Sequence, residues 1–205
     1  MNHDAREWLP LFPDEEIPHI LDAIQRCMAG IWKTSEQEHE TQITKRLHIK
    51  LKADTVLRGR PVWPDRETAE DDEDTGEEGR LDLRFMLQDP SLKPPPYFAV
   101  EAKRLHVTFP SGWQSLVAEY VKGDQGMMCF INGRYSKGLR SGAMLGYVFD
   151  GGITRASKSI SKMATTSTEA LKLLQQLPEK PGCPWRTIHN LGNRDFVIFH
   201  LLSEV

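Results

Sequence analysis

Apolar positions in this chain follow two rhythms, and the switch between them marks the elements. Ile17, Ile20, Leu21, Ile24, Met28 and Ile31 recur at three- and four-residue steps, which predicts a helix starting near Pro18 and ending by Gly30 and Thr34. Ahead of it, Trp8-Leu9-Pro10-Leu11-Phe12-Pro13 forms an apolar, proline-broken arm too short to fold alone, so it is expected to pack on the domain or a partner. Ile43, Leu47 and Leu51 make a second stripe, and Ser35 with Glu38 reads as a capping box, so a second helix is expected from Ser35 to about Ala53. Stepping back along that stripe by three and four residues reaches Glu40 and Glu36, which puts both acids on the core side near the helix start. There they either serve chemistry or complement the helix dipole.

Short apolar runs supply the other rhythm. Arg80–Leu87, bounded by Gly79 and Asp89-Pro90, and Tyr97–Lys103, following Pro94-Pro95-Pro96, read as strands. Ala143–Phe149 and Phe196–Leu202 read the same way, and residues 55–63 supply a first strand despite Gly59 and Pro61. A helix is expected from Ser111-Gly112 through Trp113, Leu116, Val117 and Tyr120 into Met127–Ile131, breaking at Gly133; another is expected from Ser159 to Leu177. This order predicts an α/β fold with a mixed central sheet flanked by helices. Residues 1–34 would be an arm and helix packed on a single domain of residues 35–205.

Charge changes the picture through its distribution. The formal net charge is −3, but residues 65–79 alone hold nine acids and one base; without them 25 bases face 20 acids, a net of +5. Like-charge repulsion there predicts an unpaired loop, either a solvated insertion or a shield that imitates nucleic acid. From Asn132 to Lys162 six bases, Arg134, Lys137, Arg140, Arg155, Lys158 and Lys162, face the single acid Asp150. That stretch is either a backbone-phosphate surface or an ordinary solvated face. Cys27, Cys129 and Cys183 lack metal-ligand spacing and read as reduced thiols. No run approaches the roughly 18 apolar residues of a membrane span, and the first residues do not open a signal peptide, so a cytoplasmic protein without membrane contact is expected.

The chemistry concentrates in the two strands at 80–103. Residues two apart on a strand share a face, so Glu101 and Lys103 point together while Ala102 points into packing. If the strands pair, Asp82 reaches that face. Two converging carboxylates make a hard oxygen site suited to Mg²⁺ or Mn²⁺, and a lysine beside them can orient or deprotonate a water, or neutralise a phosphate. His189-Asn190 lacks a second histidine motif and carries no comparable reading.

Asp82 with Glu101-Ala102-Lys103 resembles the PD-(D/E)xK, or restriction-endonuclease-like, nuclease superfamily, with Leu81 where the family name has proline. The resemblance implies a metal-dependent hydrolase of phosphodiester bonds in nucleic acid, most readily DNA. Asp82 and Glu101 would be ligands to Mg²⁺ or Mn²⁺, Glu40 (with Glu36 second) a third, and Lys103 the water-positioning group. By the same resemblance Gln114 is a site candidate, while Tyr120 is read as packing because its spacing from Gln114 does not fit. Arg104, Arg134, Lys137 and Arg140 are the nucleic-acid-binding candidates. A short chain of this family suggests the effector of a prokaryotic antiviral or restriction system, working with a protein partner or as a homo-oligomer. The alternatives are a catalytically inactive subunit that binds nucleic acid or protein, and a structural salt bridge between Glu101 and Lys103 on an unrelated sheet.

Overall fold

The computed structural model describes residues 11–71, 78–135, 139–180, 184–192 and 194–205. Its spine is a seven-stranded mixed sheet built from β1 (Val62–Asp71), β2 (Glu78–Leu87), β3 (Tyr97–Leu105), β6 (Ser141–Val148), β7 (Leu173–Leu177), β8 (Arg186–Asn190) and β9 (Asp195–Glu204), in the order β1-β2-β3-β6-β9-β8-β7. The central three, β3, β6 and β9, run parallel; both flanks are antiparallel. Central parallel strands are covered on both faces, and β3 and β6 accordingly are almost wholly buried. The proline in β1, Pro64, is tolerated because β1 is an edge strand.

One face is covered by α1 (Glu16–Met28), α2 (Glu40–Ala53) and the short α3 (Thr55–Arg58). Their apolar stripes, Ile17 to Met28 and Ile43, Leu47, Leu51, close over Leu83, Phe85, Phe98, Val100 and Ala102. The other face carries α4 (Val117–Lys122), α5 (Met128–Ile131) and α6 (Ile153–Thr166), packed on Ala99, Leu105, Met144, Val148 and Ile198. The alternation of Phe98, Val100 and Ala102 against Ala99 and Leu105 is the two-residue period of a strand buried on both sides. Of the N-terminal arm, residues 1–10 lie outside the described residues, while Phe12 packs on Phe98 with ring centroids 6.1 Å apart.

Several local expectations yield to stronger competitors. No Ser35 capping box forms: the Glu38 carboxylate accepts from Thr34 N–H at 2.7 Å and is gripped by both Nη atoms of Arg46, so α2 begins five residues later, at Glu40. Residues 55–63 open as a helical turn because the Asp54 side chain caps it through Leu57 N–H at 2.7 Å; β1 starts at Val62. The acidic stretch is no unpaired loop at its two ends, since Asp65 to Asp71 pairs with Glu78 to Arg84 in an antiparallel ladder whose backbone bonds do not depend on side-chain charge. Residues 72–77 lie outside the described residues.

The helix expected from Ser111 is instead a small ribbon, β4 (Val107–Phe109) with β5 (Gly112–Gln114), turned at Gly112 with φ +115°, followed by the separate helices α4 and α5. The break between those helices is steric: a Cβ at Gly126 would stand 2.2 Å from the carbonyl oxygen of Glu119. Residues 159–177 divide between α6 and β7. Thr165, Thr166 and Thr168 bond back to preceding carbonyls at the helix end, and the chain then pairs with β8.

Candidate active site

Strands β2 and β3 pair from Met86 and Tyr97 as far as Leu83 and Val100, and there they part. The separation leaves the next β3 amides on that side without a strand partner, and a buried N–H needs an acceptor. Two carboxylates take the place of the missing strand. Asp82, the first β2 residue past the fork, accepts from Ala102 N–H at 2.8 Å, and Glu40, the first residue of α2, accepts from Arg104 N–H at 3.3 Å. The fork in the sheet thus brings an acid from β2 and an acid from a helix N-terminus to one stretch of β3.

From β3 itself come Glu101 and Lys103, on one face as a strand requires. The Lys103 ammonium donates to Glu101 Oε1 at 2.8 Å, to Glu40 Oε1 at 3.3 Å and to the Ala102 carbonyl at 3.0 Å. Glu101 is 3% exposed and Lys103 7%, so water does little to relieve their charges. Burial, then the neighbouring Asp82 charge, pushes the Glu101 carboxyl well above the ordinary carboxylate range. Burial also raises Asp82, against the pull of Lys103 and the Ala102 amide. Burial opposes the charge on Lys103 too, but the charges of Glu101, Glu40 and Asp82 outweigh it and raise its pKa. The lysine is held as a cation, suited to positioning and charge neutralisation rather than to removing a proton.

Two carboxylates, Glu101 and Glu40, therefore share one ammonium while the Asp82 charge acts on it from further off, and the Arg104 guanidinium stands 4.0 Å from Glu40 at the margin. Glu101 Oε2 is buried with no amide, ammonium or hydroxyl donor on it, and the Asp82 carboxyl lies within hydrogen-bond reach of the Glu101 side chain. An all-oxygen donor set, an excess of negative charge and a carboxylate oxygen without such a donor fit a hard divalent cation or a shared proton. Among the described residues no three Asp, Glu, His or Cys groups already stand as a metal-holding set, because Lys103 lies between Glu40 and Glu101. A cation bound to both acids has to take over part of that lysine's place.

No family model, curated protein or solved structure matches the chain. The site stands on its own geometry.

The remaining sequence candidates scatter. Glu36 is paired with Lys33 at 3.2 Å and takes no part in the cluster. Gln114 is exposed on β5, opposite Val107 in the ribbon, outside the hydrogen-bonded group. Arg104 is largely buried, bonded to the Glu38 carbonyl at 3.0 Å and set against the Phe109 ring, so it braces the start of α2 and offers little to a phosphate. Arg134 lies close enough to Cys129 and Tyr135, both of which also feel Glu101, to influence their ionisation. Arg140 is exposed at the entry to β6, four register steps along β3 from Glu101. Lys137 lies outside the described residues.

Two residues near the acids escaped the sequence reading. Tyr135 is buried, and its phenol pKa is raised by burial and then by Glu101 and Cys129, with Asp82 adding to them. Arg84 shares the β2 face of Asp82, and its only signal in the sequence was the two-residue spacing.

Proposed function

We propose that the chain is a metal-dependent nuclease of restriction-endonuclease-like architecture, hydrolysing phosphodiester bonds of nucleic acid at the fork between β2 and β3. The observation that carries this reading is the gathering of Asp82, Glu101 and Glu40 around Lys103, with a buried carboxylate oxygen that no amide, ammonium or hydroxyl donates to. The antiparallel β1-β2-β3 followed by a parallel β6 is consistent with that architecture.

In this reading Asp82, Glu101 and Glu40 hold Mg²⁺ or Mn²⁺. When bound, the cation supplies Lewis-acid stabilisation of charge on the phosphate and lowers the pKa of a water. The chain's own residues do the positioning. The Ala102 amide fixes the Asp82 carboxylate and the Arg104 amide fixes Glu40, so neither acid has to be ordered when substrate arrives. Lys103 keeps its proton, orients the attacking water through its ammonium, and offsets the charge that gathers on the phosphate oxygens. DNA is the substrate favoured by the family resemblance, and an antiviral or restriction effector its setting.

A second reading has a specific observation behind it. Asp82 and Glu40 already serve a structural purpose by capping β3 amides, and Lys103 is already bonded to Glu101, so the cluster can exist to close the sheet edge in a non-catalytic binding subunit. Incubating purified protein with plasmid, linear and single-stranded DNA and with RNA, each with Mg²⁺, Mn²⁺ or chelator, separates the two. Cleavage that needs the divalent ion supports the nuclease. Intact substrates under every condition, with binding retained, support the subunit.

A further inference from the structure

Arg84 stands on the same sheet face as the acids. It lies two residues from Asp82 on β2, and its partner across the ladder is Ala99, two residues before Glu101 on β3. Ala99 is small, so nothing long rises from β3 between Arg84 and Glu101. The guanidinium lies over the Tyr97 ring with Cζ 5.6 Å from its centroid, which holds its plane. Its ion pair is a long one: Nη2 donates to Asp65 Oδ2 at 3.3 Å, and Asp65 is itself about one-third exposed. Its Nε is buried and has no partner at all. A planar cation held in place and only weakly paired keeps donor capacity for a further acceptor.

We infer that Arg84 binds the phosphate next to the one under attack, so that the site is built for a polynucleotide strand with consecutive phosphates rather than for an isolated diester. Two residues along a strand span roughly 6.7 Å, close to the separation of successive phosphates on one nucleic-acid strand. A phosphate seated at the acid cluster therefore places its neighbour within reach of Arg84. Its oxygens accept from Nε and Nη together, which displaces the long contact to Asp65 and satisfies the orphaned donor. The inference rests on the nuclease reading of the same site.

The test compares wild type with Arg84→Gln and Arg84→Lys on two substrates, a short single-stranded oligodeoxynucleotide and bis(4-nitrophenyl) phosphate, with Mn²⁺. Circular dichroism and melting confirm that each variant is folded. Loss of a charge-assisted fork predicts that the ratio of kcat/KM on the oligonucleotide to that on the single diester falls about 10- to 100-fold in Arg84→Gln. Arg84→Lys, which keeps the charge, recovers part of it. Equal losses on both substrates, or none, overturn the inference while leaving the nuclease reading in place. Should wild type cleave neither substrate, the nuclease reading falls, and binding in chelator decides about Arg84. Its removal is then expected to lower the salt slope of oligonucleotide affinity by about 0.7, the share of one single-strand phosphate contact. An unchanged slope, or no binding at all, overturns the phosphate role.

Discussion

Lys103 holds a charge that burial opposes and that the three acids around it more than restore. Lys103→Ala leaves Glu101 buried beside Asp82 without its 2.8 Å partner, and breaking a buried pair of this kind costs about 3 kcal/mol. In chelator its melting temperature is expected to fall by about 6–12 °C, given roughly 2–4 °C per kcal/mol for a chain of this size. Glu101→Gln behaves in the opposite way. Glu101 has a folded pKa raised above its ordinary value of 4.5, so its contribution to stability is complete below that value and is lost as pH rises through the raised one. The variant should therefore melt at or above wild type in chelator at pH 8, with the advantage shrinking toward pH 5. A wild-type protein that stays the more stable of the two at pH 8 would show that Glu101 is a structural partner first. These residues were legible beforehand because a strand's two-residue period places Glu101 and Lys103 together, and a helix stripe brings in Glu40. Arg84 has the same two-residue spacing from Asp82, but its place beside β3 depends on cross-strand register, and Tyr135 reaches the acids through a turn after α5; the pattern of apolar positions encodes neither.

At the scale of elements, the fork between β2 and β3 does what no single strand could. It exposes two β3 amides and draws two carboxylates to them. The strands that form the fork were readable from their proline and glycine boundaries; the fork was not, since hydrophobic pattern carries no information on where pairing stops. Ribbon β4–β5 was hidden by apolar residues at helical spacing, and β7 by a Leu-rich stretch that suits either structure, so glycine conformation and tertiary pairing decided both. The acidic hairpin permits a direct trial. Replacing residues 72–77 by Asn-Gly removes four acids while keeping the paired strand residues Asp71 and Glu78, and Asn-Gly favours a tight hairpin turn. Its melting temperature is expected to stay within a few degrees of wild type. If the acids shield the site, its affinity for nonspecific DNA at low salt rises; unchanged affinity would remove any shielding role.

Across the whole molecule the sheet is locked by a buried polar chain on the far side of β6. The Leu171 carbonyl can only accept, so His189 donates from Nδ1 at 2.8 Å and accepts at Nε2 from the Thr187 hydroxyl at 2.7 Å. Thr187 in turn accepts from His200 Nε2 at 3.0 Å, and His200 Nδ1 accepts from the Tyr120 hydroxyl at 3.0 Å. Both imidazoles are neutral in this arrangement. Burial, then the neighbouring His189, lowers His200 to about 3, and burial lowers His189. Groups with depressed folded pKa values give stability that is full above the unfolded value, 6.5 here, and lost as pH falls toward the folded one. Denaturant midpoints should drop between pH 6.5 and 4, and His200→Gln should lessen the slope by up to one proton, about 1.4 kcal/mol per pH unit. An identical slope in that variant would place the acid sensitivity elsewhere. Among the described residues no helix is long and apolar enough to cross a membrane, and the sheet is mixed as the order of elements implied. The central claim, that the acids at the fork serve metal-dependent phosphodiester cleavage, is tested most directly by nucleic-acid cleavage with Mg²⁺ or Mn²⁺ and with chelator, run on wild type, Glu101→Gln and Lys103→Ala. The account predicts cleavage by wild type only with the divalent ion, and none by a fully folded Glu101→Gln that still binds the substrate. Cleavage that survives in Glu101→Gln, or a wild type inert on every substrate with either ion, would contradict it.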